Sequence, residues 1–101
     1  MSGIQVVNKK NWNGGGYYIG RPSALGNPFK IGADGNRNET IDKYRAWLTE
    51  ALKNDVSVKR EFDALVAAYA AFGELILVCW CAPLPCHGEV IREFIEKAVL
   101  K

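Results

Sequence analysis

Three cysteines and the chain's single histidine fall between positions 79 and 87, in the order Cys79-Trp80-Cys81 and then Cys86-His87. Thiolates and imidazole are the usual ligands of zinc, so Cys79, Cys81, Cys86 and His87 have to be weighed as a metal site. Their spacing argues against one. Cys79 and Cys81 share a face if that segment is a strand, adjacent residues such as Cys86 and His87 rarely converge on one ion, and no Cys-x-x-Cys pair occurs. The expectation is no metal and no other cofactor. A cysteine that opens a helix is activated as a nucleophile, which makes Cys86 a candidate catalytic residue beside His87. Cys79, inside an apolar run, reads as a small hydrophobe.

A second constellation lies near the start: Tyr17-Tyr18-Ile19-Gly20-Arg21-Pro22-Ser23, followed by Gly26-Asn27-Pro28-Phe29. The guanidinium of Arg21 is a rigid fork of donors suited to phosphate or carboxylate. Ser23 and Asn27 add smaller hydrogen-bonding groups, and the prolines hold this loop, with Gly20, in a fixed shape. Tyr17, Tyr18 or Trp80 could stack on a base. The plainer alternative is a rigid turn whose arginine pairs with a surface carboxylate.

These groups need elements to carry them. Ile4 to Asn8 reads as a strand, and Tyr17 to Gly20 as a second after the turn Asn13-Gly14-Gly15-Gly16. Asn36 to Asn38 supply a helix start, with Asn38 as candidate N-cap, Glu39 in the first turn, and Ile41, Tyr44, Leu48 and Leu52 inside, and Asn54-Asp55 breaks the helix. Ser57 is a candidate cap for another, with Val58, Phe62, Leu65, Val66, Tyr69 and Phe72 inside and Gly73 as its stop. Leu75 to Cys79 is an apolar run suited to a central strand covered on both faces. A last helix follows Pro85, with Val90, Ile91, Phe94, Ile95 and Ala98 inside. The order β-β-α-α-β-α implies a small α/β sandwich of about three to five strands, Rossmann-like in character. Ligands of open α/β sheets sit beyond the carboxyl ends of strands, against helix N-termini. That places Trp80 to Gly88 at a site, with Gly88 expected to allow close approach of a ligand to the backbone.

The chain's 101 residues suit one α/β domain over 1–101, with no linker or repeat. A net charge of +2 lacks the basic stripe of a nucleic-acid binder, yet leaves room for one positive pocket. The run Leu75 to Cys81 is too short to span a bilayer, no signal peptide is evident, and three clustered cysteines do not form a secreted disulfide framework. A cytoplasmic protein with no membrane partner is expected. An exposed sheet edge would allow pairing with a second copy. Lys9-Lys10 and Lys59-Arg60 read as solvated faces.

The motifs Tyr18-Ile19-Gly20-Arg21-Pro22-Ser23, Gly26-Asn27-Pro28-Phe29, Arg37 ahead of Tyr44-Arg45-x-Trp47-Leu48, and Cys79-Trp80-Cys81-x-Pro83-x-x-Cys86-His87-Gly88 resemble the bacterial and phage "domain of unknown function 4326" family over about residues 17–100. The resemblance implies that the two constellations form one site. By analogy of fold alone it implies a binder of a small phosphorylated nucleotide or an ADP-ribose-like molecule, and the phage members suggest a sponge that sequesters a host immune nucleotide signal. The ligand-binding set is then Tyr18, Gly20, Arg21, Ser23, Asn27, Trp80, Cys81, Cys86, His87 and Gly88. An enzyme acting on an N-glycosidic bond is the alternative. It needs an acid or base at the sugar, for which Glu89, His87 and Cys86 are the candidates, with Asp34 from the loop. A structural zinc domain is the third reading. The segment from Val56 to Phe72 exceeds a minimal connection, and is expected to carry an oligomer contact or to shape the rim of the pocket.

Overall fold

The β-branched segment Ile4–Asn8 (β1) and the apolar run Leu75–Cys79 (β3) lie side by side as parallel strands. A computed structural model describes residues 3–80 and 86–99. Among them, the sheet has three parallel strands in the order β1-β3-β2, where β2 is only Tyr17–Tyr18. β3 is therefore central. Ile4 pairs with Leu75 and Val6 with Leu77 on one side, and Tyr17 with Leu77 and Tyr18 with Val78 on the other. The ladder to β2 extends one bond further, from Ile19 N–H to Val78 C=O at 2.9 Å. The expected second strand thus exists but is shorter than Tyr17–Gly20, because at Gly20 the chain turns away into the proline-bearing loop.

Among the described residues, three α-helices follow from the sequence periodicity: Arg37–Asn54 (α1), Val56–Phe72 (α2) and His87–Val99 (α3). The cap of α1 is Asn36, two residues before the expected Asn38. Asn36 accepts from Glu39 N–H at 2.9 Å while the Glu39 carboxylate accepts from Asn36 N–H at 2.8 Å, a reciprocal capping box. Between α1 and α2 a single residue does both jobs. Asp55 donates its N–H to Ala51 C=O at 2.8 Å, ending α1. Its carboxylate accepts from Ser57 and Val58 N–H at 3.0 and 3.2 Å, starting α2. The cap is Asp55 rather than Ser57 because the carboxylate reaches both orphan donors of the first turn. Gly73 ends α2 as expected.

The core lies on one face of the sheet. Ile4, Leu75, Leu77 and Cys79 from the strands meet Val58, Phe62 and Leu65 of α2 and Val90, Ile91 and Ile95 of α3. α1 packs on α2 and α3 through Tyr44 and Leu48. Full burial of a side chain such as Leu77 or Ile91 contributes about 1.5–3 kcal/mol. Two expected core positions are not in it. Phe72 is 77% exposed and Ala98 is exposed, since both lie in the last turn of a helix that outruns the sheet. Ile76, expected to be covered, is only partly buried, because its face of the central strand carries no helix.

Candidate functional site

The carboxyl ends of β2 and β3 lead to Ile19-Gly20 and Trp80, and the N-termini of α1 and α3 face the same end. Between them opens a cavity of about 460 Å³, within the range of small-molecule sites. Tyr18, Gly20, Arg21 and Asn27 line it from the first motif, and Trp80, Cys86 and His87 from the last. The two constellations therefore share one cavity. Phe29, Lys30 and Ile31 from the loop, and Arg37, Thr40 and Ile41 from the first turns of α1, complete its lining.

The loop from Gly20 to Gly26 is a closed double turn. Ser23 N–H donates to Gly20 C=O, and Gly26 N–H to Ser23 C=O, each at 2.9 Å. A side chain at Gly26 would begin 2.9–3.0 Å from the Arg21 and Gly20 backbone, so only glycine lets the loop fold onto itself. The Arg21–Pro22 bond is cis. Asn27 makes a turn of its own by accepting from Phe29 N–H at 2.9 Å. Tyr44, fully buried in α1, donates its hydroxyl to Leu25 C=O at 2.7 Å and so ties the loop to the core. Burial holds that phenol well above its ordinary pKa, with charge at Cys86 and Glu61 adding to the effect, so it remains a donor.

A hydrogen-bonded chain links the three polar edges of the cavity. The Trp80 indole N–H donates to the Tyr18 hydroxyl at 2.9 Å, and that hydroxyl donates to Arg21 C=O at 2.7 Å. Trp80 is nonetheless 57% exposed, which leaves much of its ring open to a partner. Lys9, from one of the expected solvated pairs, sits 5.4 Å over the Tyr18 ring.

His87, the first residue of α3, is buried and bonded through Nε2 to Ile19 C=O at 2.6 Å. A carbonyl only accepts, so Nε2 carries the proton and Nδ1 is the acceptor of the neutral ring. Desolvation lowers the His87 pKa. The Ile19 bond opposes that shift and the nearby Arg21 charge reinforces it. Cys86, just before α3, accepts from Gly88 N–H at 3.3 Å, and its Sγ lies 3.3 Å from Cys79 Sγ. Cys79 is buried, as a small hydrophobe should be, but it is also this neighbour.

Other expected site residues lie elsewhere. A side chain at Gly88 would meet Val6 at 2.8 Å and Ile19 at 3.0 Å. Its missing Cβ thus serves the packing of α3 on the sheet, and it does not line the cavity. The Ser23 hydroxyl is buried away from the cavity lining and has no hydrogen-bond partner among the described residues. Glu89 is outside the cavity, in an ion pair with Arg92 at 2.7 Å. Asp34 accepts from Lys30 N–H at 2.8 Å and does not line the cavity either. Cys81 lies outside the described residues. Among those described, no three His, Cys, Asp or Glu side chains converge as a metal site would require. α2 contributes none of the cavity lining, so of the two roles expected for it, an oligomer contact or the rim of the pocket, the lining does not supply the second. A second hollow, of about 510 Å³ at the α1–α2 corner, contains the Lys59–Asp63 ion pair and none of the motif residues.

The family model for Domain of unknown function (DUF4326) matches residues 4–97, from the first residue of β1 almost to the end of α3. The chain belongs to the DUF4326 family. The match spans both constellations, so the cavity is built wholly from the DUF4326 region. No curated protein and no solved structure matches the chain. Among the described residues, no helix of this DUF4326 member is long and apolar enough to cross a membrane.

Proposed function

We propose that the cavity binds a small phosphorylated nucleotide or an ADP-ribose-like molecule. The observation that carries this reading is the charge of the lining: Arg21, Lys30 and Arg37 contribute three cations, and no described lining residue is a carboxylate. A cavity of one sign concentrates ligands of the other. The start of α3 adds the partial positive charge of a helix N-terminus at Cys86 and His87. Tyr18, Phe29 and Trp80 supply aromatic surface for a flat base. Arg21 would grip phosphate as a fork, Lys30 and Arg37 would neutralise it, and Asn27 and Thr40 would meet hydroxyls.

Binding without turnover is favoured because the carboxylates Glu89 and Asp34 lie off the cavity, and of the acid–base candidates that line it, His87 is held by its bond to Ile19 C=O. A Rossmann-like lineage fits a site at the carboxyl ends of parallel strands. Holding a nucleotide without consuming it is what a cytoplasmic sponge encoded by a phage would do to a host immune signal. The test is calorimetry with ADP, ADP-ribose and adenosine. The phosphorylated ligands should bind, adenosine should bind far more weakly, and Arg21→Ala should narrow the difference. If neither phosphorylated ligand binds more tightly than adenosine, the reading is wrong.

A further inference from the structure

The nucleotide reading makes no use of sulfur, yet a thiol of the cavity lining, Cys86, meets a second thiol, Cys79. Cys79 is the last residue of β3 and Cys86 the residue before α3. Their Sγ atoms are 3.3 Å apart, and only Cys86 lines the cavity. Cys86 Sγ also accepts from Gly88 N–H at 3.3 Å, in the first turn of α3. Backbone donation and the helix N-terminus both favour the thiolate at Cys86, and Cys79 S–H can donate to the same sulfur. The geometry is thus asymmetric. One sulfur lines the cavity and accepts from a backbone N–H, and the other is fully buried 3.3 Å away.

We infer that Cys79 and Cys86 form a peroxide-reactive thiol pair, with Cys86 as the attacking sulfur and Cys79 as the resolving one. The oxidant is a small hydroperoxide, the class that fits a sulfur only 3% exposed. In the first step the Cys86 thiolate attacks one oxygen of H2O2. The O–O bond breaks, an S–O bond forms, hydroxide leaves, and Cys86 becomes a sulfenic acid. In the second step Cys79 sulfur attacks Cys86 sulfur. The S–S bond forms, the S–O bond breaks, and the departing oxygen leaves as water with the Cys79 proton. Overall two thiols are oxidised by two electrons and the peroxide is reduced to water. Closing the pair requires the sulfurs to approach from 3.3 Å to about 2 Å, a small movement for two adjoining side chains. A small-molecule thiol would reverse it by exchange.

The test treats the reduced wild-type chain with hydrogen peroxide, blocks the remaining thiols, and maps the linkage by peptide mass spectrometry. The expected product is a Cys79–Cys86 link, with loss of the mass of two hydrogens and Cys81 still alkylated. In Cys79→Ser a dimedone adduct should accumulate on Cys86, and in Cys86→Ser no adduct should form on Cys79. A link through Cys81, direct passage of Cys86 to sulfonic acid, or no reaction would each overturn the inference. The wild-type map does not depend on either variant folding. It is run without nucleotide, so its outcome is separate from that of the calorimetry.

Discussion

The Nε2 of His87 donates to the carbonyl of Ile19 across 2.6 Å, and this bond joins the start of the last helix to the end of the shortest strand. His87 also lines the cavity, so the protonation state of one buried ring bears on both stability and site.

The His87 pKa is lowered in the folded chain. The unfolded chain therefore takes up a proton first as pH falls. Stability from this residue is intact above the unfolded value, about 6.5, and declines as pH drops from there to the lowered folded value. Urea denaturation across pH 4–8, a range of roughly this width around the histidine value, should show this decline. His87→Gln should be less stable at neutral pH but have a flatter profile below it. An unchanged slope in the variant would remove His87 as the cause.

Tyr44→Phe deletes one hydroxyl and leaves Leu25 C=O buried without its donor. The expected loss is about 1–3 kcal/mol, measured by denaturant midpoint. The loop carrying Arg21 should also loosen, seen as faster amide exchange over residues 20–27. Equal exchange in both proteins would mean that the loop holds its shape without this tie.

Arg21→Ala should weaken ADP binding by roughly ten- to a hundredfold, the range of a charge-assisted hydrogen bond, while barely changing the melting temperature. Wild-type binding should weaken with added salt, and the variant should be less salt-sensitive. Lys10→Ala, on an exposed turn outside the lining, is the matched control. A similar loss in that control would point to overall charge rather than to the cavity.

Gly88→Ala forces a methyl group to within 2.8 Å of Val6 and 3.0 Å of Ile19. Overpacking of this kind costs typically about 1–3 kcal/mol. Thermal denaturation should fall accordingly; a neutral result would show that α3 can shift away from the sheet at little expense.

Elements with strong local signals were legible in the sequence. The apolar run of β3 and the glycine stop of α2 fall where they were read, because continuous hydrophobicity and a left-handed cap leave few alternatives. Asn36 to Asn38 do supply the start of α1, but the cap is Asn36 rather than Asn38, because Asn36 and Glu39 have the spacing of a capping box. The cavity was half legible. Residues with unusual composition, such as Arg21, Trp80, Cys86 and His87, gave themselves away. Lys30, Thr40 and Ile41 did not, because they reach the cavity only through the approach of the α1 N-terminus to the loop, a tertiary relation without a local pattern. Arg37 stood out as a motif residue without being assigned to the site. Gly88 was read as space for a ligand when that space belongs to Val6 and Ile19, a distinction that spacing alone cannot draw.

Asp55 is the whole of the connection between two long helices. Each residue added to a helix turns its side chains by about 100°, and no slack exists at this corner to absorb the rotation. A single inserted residue next to Asp55 would swing the apolar stripe of one helix out of phase with the other, taking Leu48 or Val58 off the core. The corner thus works as a gear mesh: α1 and α2 keep their relative phase only at a fixed count of residues.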